Sequence, residues 1–201
     1  VSDFSKEEID KIFGIFKNYS LSASPDALPL YHKIADTLNI SENKIFVTCG
    51  ITEGIRILYD FCTNPGENVI CLDPTYPMYW IYADMYQVEY RKMSYDTDSL
   101  APDMDTLYNQ MDENTRFVFI ANPNLPIESC FSVDEIRNIA EKCRKNNTVL
   151  VVDEAYHYFG APSVLELIEE YENIIVFRTF SKAYGLAGLR IGFMVSQTKN
   201  I

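Results

Sequence analysis

The chain has 201 residues, 47% of them hydrophobic and 23% charged, a globular balance suited to one full domain or one large lobe of a bigger protein. Its 17 Lys and Arg against 29 Asp and Glu give a net charge of −12, which argues against a sequence-independent nucleic-acid binder, because phosphate contacts need clustered cations. No apolar run approaches the roughly 20 residues of a membrane span, Val1–Lys6 lacks the basic-then-apolar order of a signal peptide, and five Cys with two His at no metal-type spacing speak against a disulfide framework or a metal site.

Residues 1–44 read as a lead-in segment packed against the rest of the chain. Lys6–Lys17 is helical in pattern, Ser20–Pro29 is loop-like, and Leu30–Leu38 is a second helix ending near Asn39. From 45 to 201, short β-branched runs alternate with stretches of helical length. The expected strands are Lys44–Cys49, Asn68–Leu72, Val88–Met93, Arg116–Ala121, Thr148–Val152, Asn173–Arg178 and Arg190–Val195. Between them lie candidate helices at Glu53–Cys62, Tyr76–Tyr86, Met104–Met111, Ser132–Lys145 and Pro162–Tyr171. Ser132-Val133-Asp134-Glu135 is a capping box, and Val133, Ile136, Ile139, Ala140 and Cys143 come after it at helical spacing. Cys49 and Cys71, in or beside apolar runs, read as small core residues of a reducing compartment, so a cytoplasmic location is expected. Strands such as Val149-Leu150-Val151-Val152 are apolar at consecutive positions, which implies burial on both faces. The fold class is therefore α/β: one lobe with a mostly parallel sheet and helices on both faces.

In such a sheet ligands bind beyond the carboxyl ends of the strands. Four sets of residues stand there. Gly50-Ile51-Thr52-Glu53-Gly54 succeeds the first strand and opens a helix, where free N–H groups suit an anion, although an ordinary βα turn has the same form. Asp153 begins Asp153-Glu154-Ala155-Tyr156; it can pair with a cationic ligand group beside the Tyr156 hydroxyl, or simply cap a helix. Asn122-Pro123-Asn124-Leu125-Pro126 offers amides on a path stiffened by two prolines, and by itself is only a turn. Arg178-Thr179-Phe180-Ser181-Lys182 runs on through a glycine-interrupted loop to Arg190. Its hydroxyls and arginine suit a phosphate, and a lysine against a desolvated wall can become a Schiff-base nucleophile. The density of this last set argues against a merely solvated surface. Together the four supply what pyridoxal 5′-phosphate needs: a lysine, a carboxylate for the pyridinium nitrogen, a donor for the ring oxygen and a phosphate pocket.

On these residues the sequence resembles the class I/II, fold-type-I pyridoxal-phosphate aminotransferases, most of all the histidinol-phosphate aminotransferase group, over nearly the whole chain. The resemblance implies Lys182 as the Schiff-base lysine, Asp153 on the pyridine nitrogen, Tyr156 beside the ring oxygen and Tyr76 stacked on the ring. It implies a phosphate pocket made by the Gly50-Ile51-Thr52 turn with Thr179, Ser181 and Arg190. Where the family has Asn-Pro-Asn-Asn-Pro-Thr-Gly, this chain has Asn122-Pro123-Asn124-Leu125-Pro126-Ile127-Glu128. Leu125 thus replaces the asparagine that bonds the ring oxygen. Either Asn124 substitutes through a backbone shift, or the bond is lost and Tyr156 acts alone. Ser24 stands where relatives carry a tyrosine reaching the neighbouring subunit's phosphate. The resemblance further implies a homodimer, a small C-terminal domain absent from this chain, and a family segment preceding Val1. Its implied activity is amino-group transfer between an amino donor, with histidinol phosphate leading, and a 2-oxo acid. A phospho-amino-acid decarboxylase on the same lobe, suggested by the altered Leu125–Glu128 stretch, and a catalytically decayed partner subunit are the alternatives.

Overall fold

The computed structural model describes residues 3–15 and 26–200. Within them one sheet is built from β1 (Ile45–Thr48), β2 (Asn68–Leu72), β3 (Glu89–Met93), β4 (Thr115–Ala121), β5 (Val149–Asp153), β6 (Ile174–Thr179) and β7 (Gly192–Val195), in the spatial order β1-β7-β6-β5-β4-β2-β3. The β6-β5-β4-β2-β3 run is parallel. β7 is inserted antiparallel between β1 and β6, which therefore point the same way.

Both faces of the sheet are covered, and strand alternation divides the core between them. On one face Leu150, Val152, Ile174 and Val176 pack with α2 (Leu28–Leu38), α5 (Met104–Gln110) and α6 (Val133–Lys145). On the other, Val151, Ile175 and Phe177 meet α3 (Ile51–Cys62) and α4 (Met78–Met85). This is why the strand sequences carry no polar alternation. Each such buried Val, Ile or Phe contributes about 1.5–3 kcal/mol relative to leaving it in water. The helix α1 (Lys6–Ile15) buries none of its residues, whereas α2 buries Ile34 and Ala35 and its Tyr31 hydroxyl accepts the Val47 N–H at 3.1 Å. The capping box of α6 forms as expected: Ser132 Oγ accepts the Glu135 N–H and Glu135 Oε2 accepts the Ser132 N–H. Among the described residues no helix is long and apolar enough to cross a membrane, and no cluster of His, Cys, Asp or Glu could hold a metal ion.

Several expectations need correction. The helix proposed for Pro162–Tyr171 is only a short 3-10 turn, Leu165–Ile168. Its approach is fastened from outside, since Glu154 Oε1 accepts the Val164 N–H at 2.6 Å and Arg178 donates to Ser163 Oγ at 2.7 Å. Leu28 and Pro29 belong to α2 rather than to a loop, with the proline in the first turn where a missing N–H costs nothing. Tyr76 and Pro77 precede α4 instead of opening it. Arg190 lies outside β7 with φ 53°. Cys71 is buried, but Cys49 is exposed because β1 ends at Thr48 and leaves it at the rim. Phe16, Lys17, residues 20–25 and hence Ser24 lie outside the described residues.

Candidate active site

The carboxyl ends of β1, β4, β5 and β6 share one edge of the sheet, with Ala121 in register with Asp153. The reversal of β7 brings its amino end to the same edge: Gly192 pairs with Thr48 on one side and Thr179 on the other. Arg190, two residues earlier, thereby reaches a rim that a parallel strand would have carried it away from. Around this rim is a cavity of about 470 Å³. Ile51, Thr52, Tyr76, Asn124 and Asp153 line it, as do Tyr156, Thr179, Ser181, Lys182 and Arg190. Among the residues assigned to the cofactor by the resemblance, Gly50 is the one that does not line the cavity, while Asn122, Glu154 and Arg178 of the motifs also stand outside it.

Gly50 has φ 83° and caps α3 with no side chain; its carbonyl accepts the Glu53 N–H at 3.2 Å, and the Ile51 and Thr52 N–H groups are left without a partner among the described residues. A Cβ at Gly50 would fall 2.5 Å from an Arg190 guanidinium nitrogen. The turn is seated equally closely on β7, where a Cβ at Gly192 would lie 2.9 Å from the Ile51 nitrogen. These two contacts hold the helix N-terminus and the arginine together. Thr179 Oγ1 accepts the Ser181 N–H at 3.1 Å, and Thr52 Oγ1 is 2.9 Å from the Tyr76 hydroxyl. Among the described residues neither Lys182 nor Arg190 ion-pairs with a carboxylate; Lys182 Nζ lies 5.0 Å from the Tyr156 ring centre, and Arg190 donates to the Ala187 carbonyl at 3.3 Å. The result is an electropositive cradle in an acidic protein.

Strand alternation also sorts the two consecutive acids at the end of β5. Asp153 turns to the α4 face, where Oδ2 accepts the Tyr79 hydroxyl at 2.8 Å and Oδ1 accepts the Ala155 N–H at 3.0 Å. Burial pushes its carboxyl up to about 6, against the opposing pull of the Tyr79 and Ala155 hydrogen bonds. Glu154 turns the other way and forms a buried pair with Arg178, Nε to Oε2 at 2.6 Å, with the side chains 0% and 3% exposed respectively.

Asn124 lines the cavity, but its amide is fully engaged. Oδ1 accepts the Thr75 hydroxyl at 2.6 Å, and Nδ2 donates to the Pro74 carbonyl at 2.8 Å and the Tyr95 hydroxyl at 2.6 Å. The backbone-shift alternative would cost these bonds. Leu125 presents an apolar side chain to the same wall. The sequence reasoning missed Tyr79, Thr75 and the Glu154–Arg178 pair. Only Tyr79 had a local signal, lying three residues beyond Tyr76 at helical spacing.

This rim, with Lys182 and Arg190 free of an ion pair among the described residues beside a buried aspartate, is shared with a family of known sequences. The profile of the family "Aminotransferase class I and II" matches residues 2–201, and the chain belongs to that family. Among individual proteins it is 35% identical over 200 residues to the histidinol-phosphate aminotransferase of Staphylococcus carnosus, covering 98% of this chain and 54% of that one. It is 38% identical over 155 residues to the enzyme of the same name from Bacteroides thetaiotaomicron, covering 76% of this chain and 44% of the relative. The solved histidinol-phosphate aminotransferase of Sinorhizobium meliloti, in complex with pyridoxal 5′-phosphate, superposes with a TM-score of 0.81 at 27% identity, over 95% of this chain and 51% of that one. Cystalysin from Treponema denticola, at 16% identity and a TM-score of 0.87, shares the fold. The chain spans about half the length of the relatives it matches.

Proposed function

We propose that residues 45–201 form the cofactor lobe of a cytoplasmic, homodimeric pyridoxal-phosphate aminotransferase, with residues 1–44 a lead-in packed on it. Its amino donor is histidinol phosphate or a related phosphorylated amine, and its acceptor is a 2-oxo acid. The observation that carries this reading is the convergence of Lys182, Asp153 and the Arg190 cradle on one cavity. Amino-group transfer is preferred to decarboxylation because similar proteins at 35% and 38% identity carry aminotransferase names.

The residues present fit the cofactor. A doubly charged phosphate suits the first turn of α3, the Thr179 and Ser181 hydroxyls and Arg190, whose guanidinium ion-pairs with no carboxylate among the described residues. A buried carboxylate such as Asp153 is held back from ionising by desolvation, and a cationic ring nitrogen relieves that cost. Tyr76, half exposed at the cavity mouth and edge-on to Tyr79 at 5.7 Å, offers a ring face for stacking. With Asn124 engaged and Leu125 apolar, Tyr156 is left as the donor for the ring oxygen. When bound, pyridoxal phosphate supplies a sink for the electron pair left as a bond to the substrate's amino-bearing carbon breaks. Lys182 Nζ would hold the cofactor and would move the proton at that carbon.

Borohydride reduction of the protein in the presence of pyridoxal phosphate, followed by peptide mass mapping, tests the reading. A pyridoxyl mass on the Lys182 peptide, absent in Lys182→Ala, is expected. Labelling scattered over surface lysines would overturn it and favour the decayed-subunit alternative.

A further inference from the structure

Tyr79 has no role in the resemblance, yet among the described residues it makes the one side-chain hydrogen bond to the buried Asp153 carboxylate. Its ring is wholly enclosed. It stacks on Phe119 with centres 5.0 Å apart and planes 19° from parallel, and Phe119 stacks in turn on Tyr59 at 5.7 Å. Tyr59 also donates its hydroxyl to the Tyr79 carbonyl at 2.7 Å, fixing the backbone as well as the ring. The Tyr79 hydroxyl thus has a single direction available, toward Asp153 Oδ2 at 2.8 Å. Burial and the nearby carboxylate hold the phenol well above its ordinary range, so it remains a donor throughout the physiological range.

We propose that Tyr79 is a positioning residue: its locked hydroxyl fixes the orientation of the Asp153 carboxylate and keeps that group an acceptor for the cationic nitrogen of the cofactor ring. The other groups facing this pair are few. Lys182 approaches Asp153 from the loop after β6 and favours its charge, while neighbouring Glu154 opposes it although its carboxylate is turned toward Arg178. On the Tyr79 side stand Cys71 of β2 and Tyr76, both disfavouring phenolate. Tyr79 is the sole hydroxyl donor among them to the Asp153 carboxylate. Removing it leaves the desolvation of Asp153 in place with only the Ala155 N–H and the Lys182 field to offset it.

The role toward the cofactor rests on the function proposed above, but the coupling itself is read without cofactor. The experiment tracks the Asp153 carboxyl carbon by ¹³C NMR through a pH titration of the cofactor-free protein, with the signal assigned by its loss in Asp153→Asn. In Tyr79→Phe, which keeps the stacked ring, the midpoint rises by about one to two pH units, the range expected for a hydrogen bond to a charged group. Tyr59→Phe, which keeps the stack and the Tyr79 hydroxyl and loses only the bond to the Tyr79 carbonyl, moves it less than Tyr79→Phe does. At a pH below the wild-type midpoint near 6, where both proteins carry the protonated acid, Tyr79→Phe also binds pyridoxal phosphate about tenfold more weakly for each unit of that rise, and the difference fades above the raised midpoint. Should Tyr79→Phe not fold, the Tyr79 ring carbon bearing the hydroxyl is tracked in the wild type, where it shifts with the Asp153 midpoint. An unmoved midpoint in Tyr79→Phe, an equal rise in Tyr59→Phe, or a flat Tyr79 signal would overturn the proposal. Failure of Lys182 to label refutes the cofactor reading while leaving the coupling measurable.

Discussion

Replacing Arg178 by methionine puts a number on the buried pair behind the site. Arg178 and Glu154 are 3% and 0% exposed, so neither charge is screened by water. Glu154 accepts from Arg178 Nε at 2.6 Å, from the Val164 N–H at 2.6 Å and from Ser163 Oγ at 3.1 Å. Arg178 donates further to Ser163 Oγ and lies 5.2 Å from the Tyr158 ring centre. Methionine fills much of the arginine stem, so little cavity opens; the cost comes from a carboxylate left alone in the interior. Loss of one partner from a buried pair costs about 3–5 kcal/mol, a fifth or more of the roughly 5–15 kcal/mol stability of a typical domain. Urea unfolding at pH 7, with an unchanged m-value, should show that loss in Arg178→Met. The double variant Arg178→Met/Glu154→Gln, which removes both charges and keeps an acceptor for Val164, should recover at least half of it. A single variant within about 1 kcal/mol of the wild type, or a double variant no better than the single, would refute the reasoning.

Two further outcomes are expected. Gly192→Ala places a methyl group 2.9 Å from the Ile51 nitrogen, where backbone rather than a flexible side chain must yield; unfolding should show a loss of about 1–3 kcal/mol and fluorescence titration a weakened pyridoxal phosphate site, and wild-type values for both would sink the idea. Asp153 has a folded-state carboxyl near 6 against a usual 3.8, so its contribution to stability is intact below about pH 4 and is lost as the pH rises through 6. The difference of about two units corresponds to about 3 kcal/mol, so cofactor-free Asp153→Asn should match the wild type near pH 4 and exceed it by about 2–3 kcal/mol above pH 7; a pH-independent difference in urea midpoints contradicts this.

The parallel, doubly covered sheet was legible because runs such as Val149–Val152 leave no face for water, and α6 announced itself through Ser132 and Glu135. The rim residues were legible because Asp153, Thr179 and Lys182 sit at or just past the ends of strong strands. What local patterns lacked was partners distant in sequence. Val164, Leu167, Ile168 and Tyr171 have a helix's spacing, but Glu154 takes the Val164 N–H, and nothing near residue 164 reports a carboxylate ten residues upstream. The reversal of β7 is equally silent, since a four-residue strand buried on both faces looks the same in either direction. Asn124 could be read as a free amide because Thr75, Pro74 and Tyr95 converge on it only in space.

The insertion of β7 also sets a timetable for the newly made chain. Among the described residues β1 has β7 as its only strand partner, and the pairing of Ile45 with Val195 spans 195 − 45 = 150 residues. At about 5–20 residues per second, translation takes about 8–30 s to close that gap. Through that interval β1 is a strand in waiting, and the Gly50 turn has neither Gly192 beneath it nor Arg190 over it. The anion cradle is therefore the last part of the rim to come into being, and the sheet edge that later carries it is the one a chaperone would have to shield.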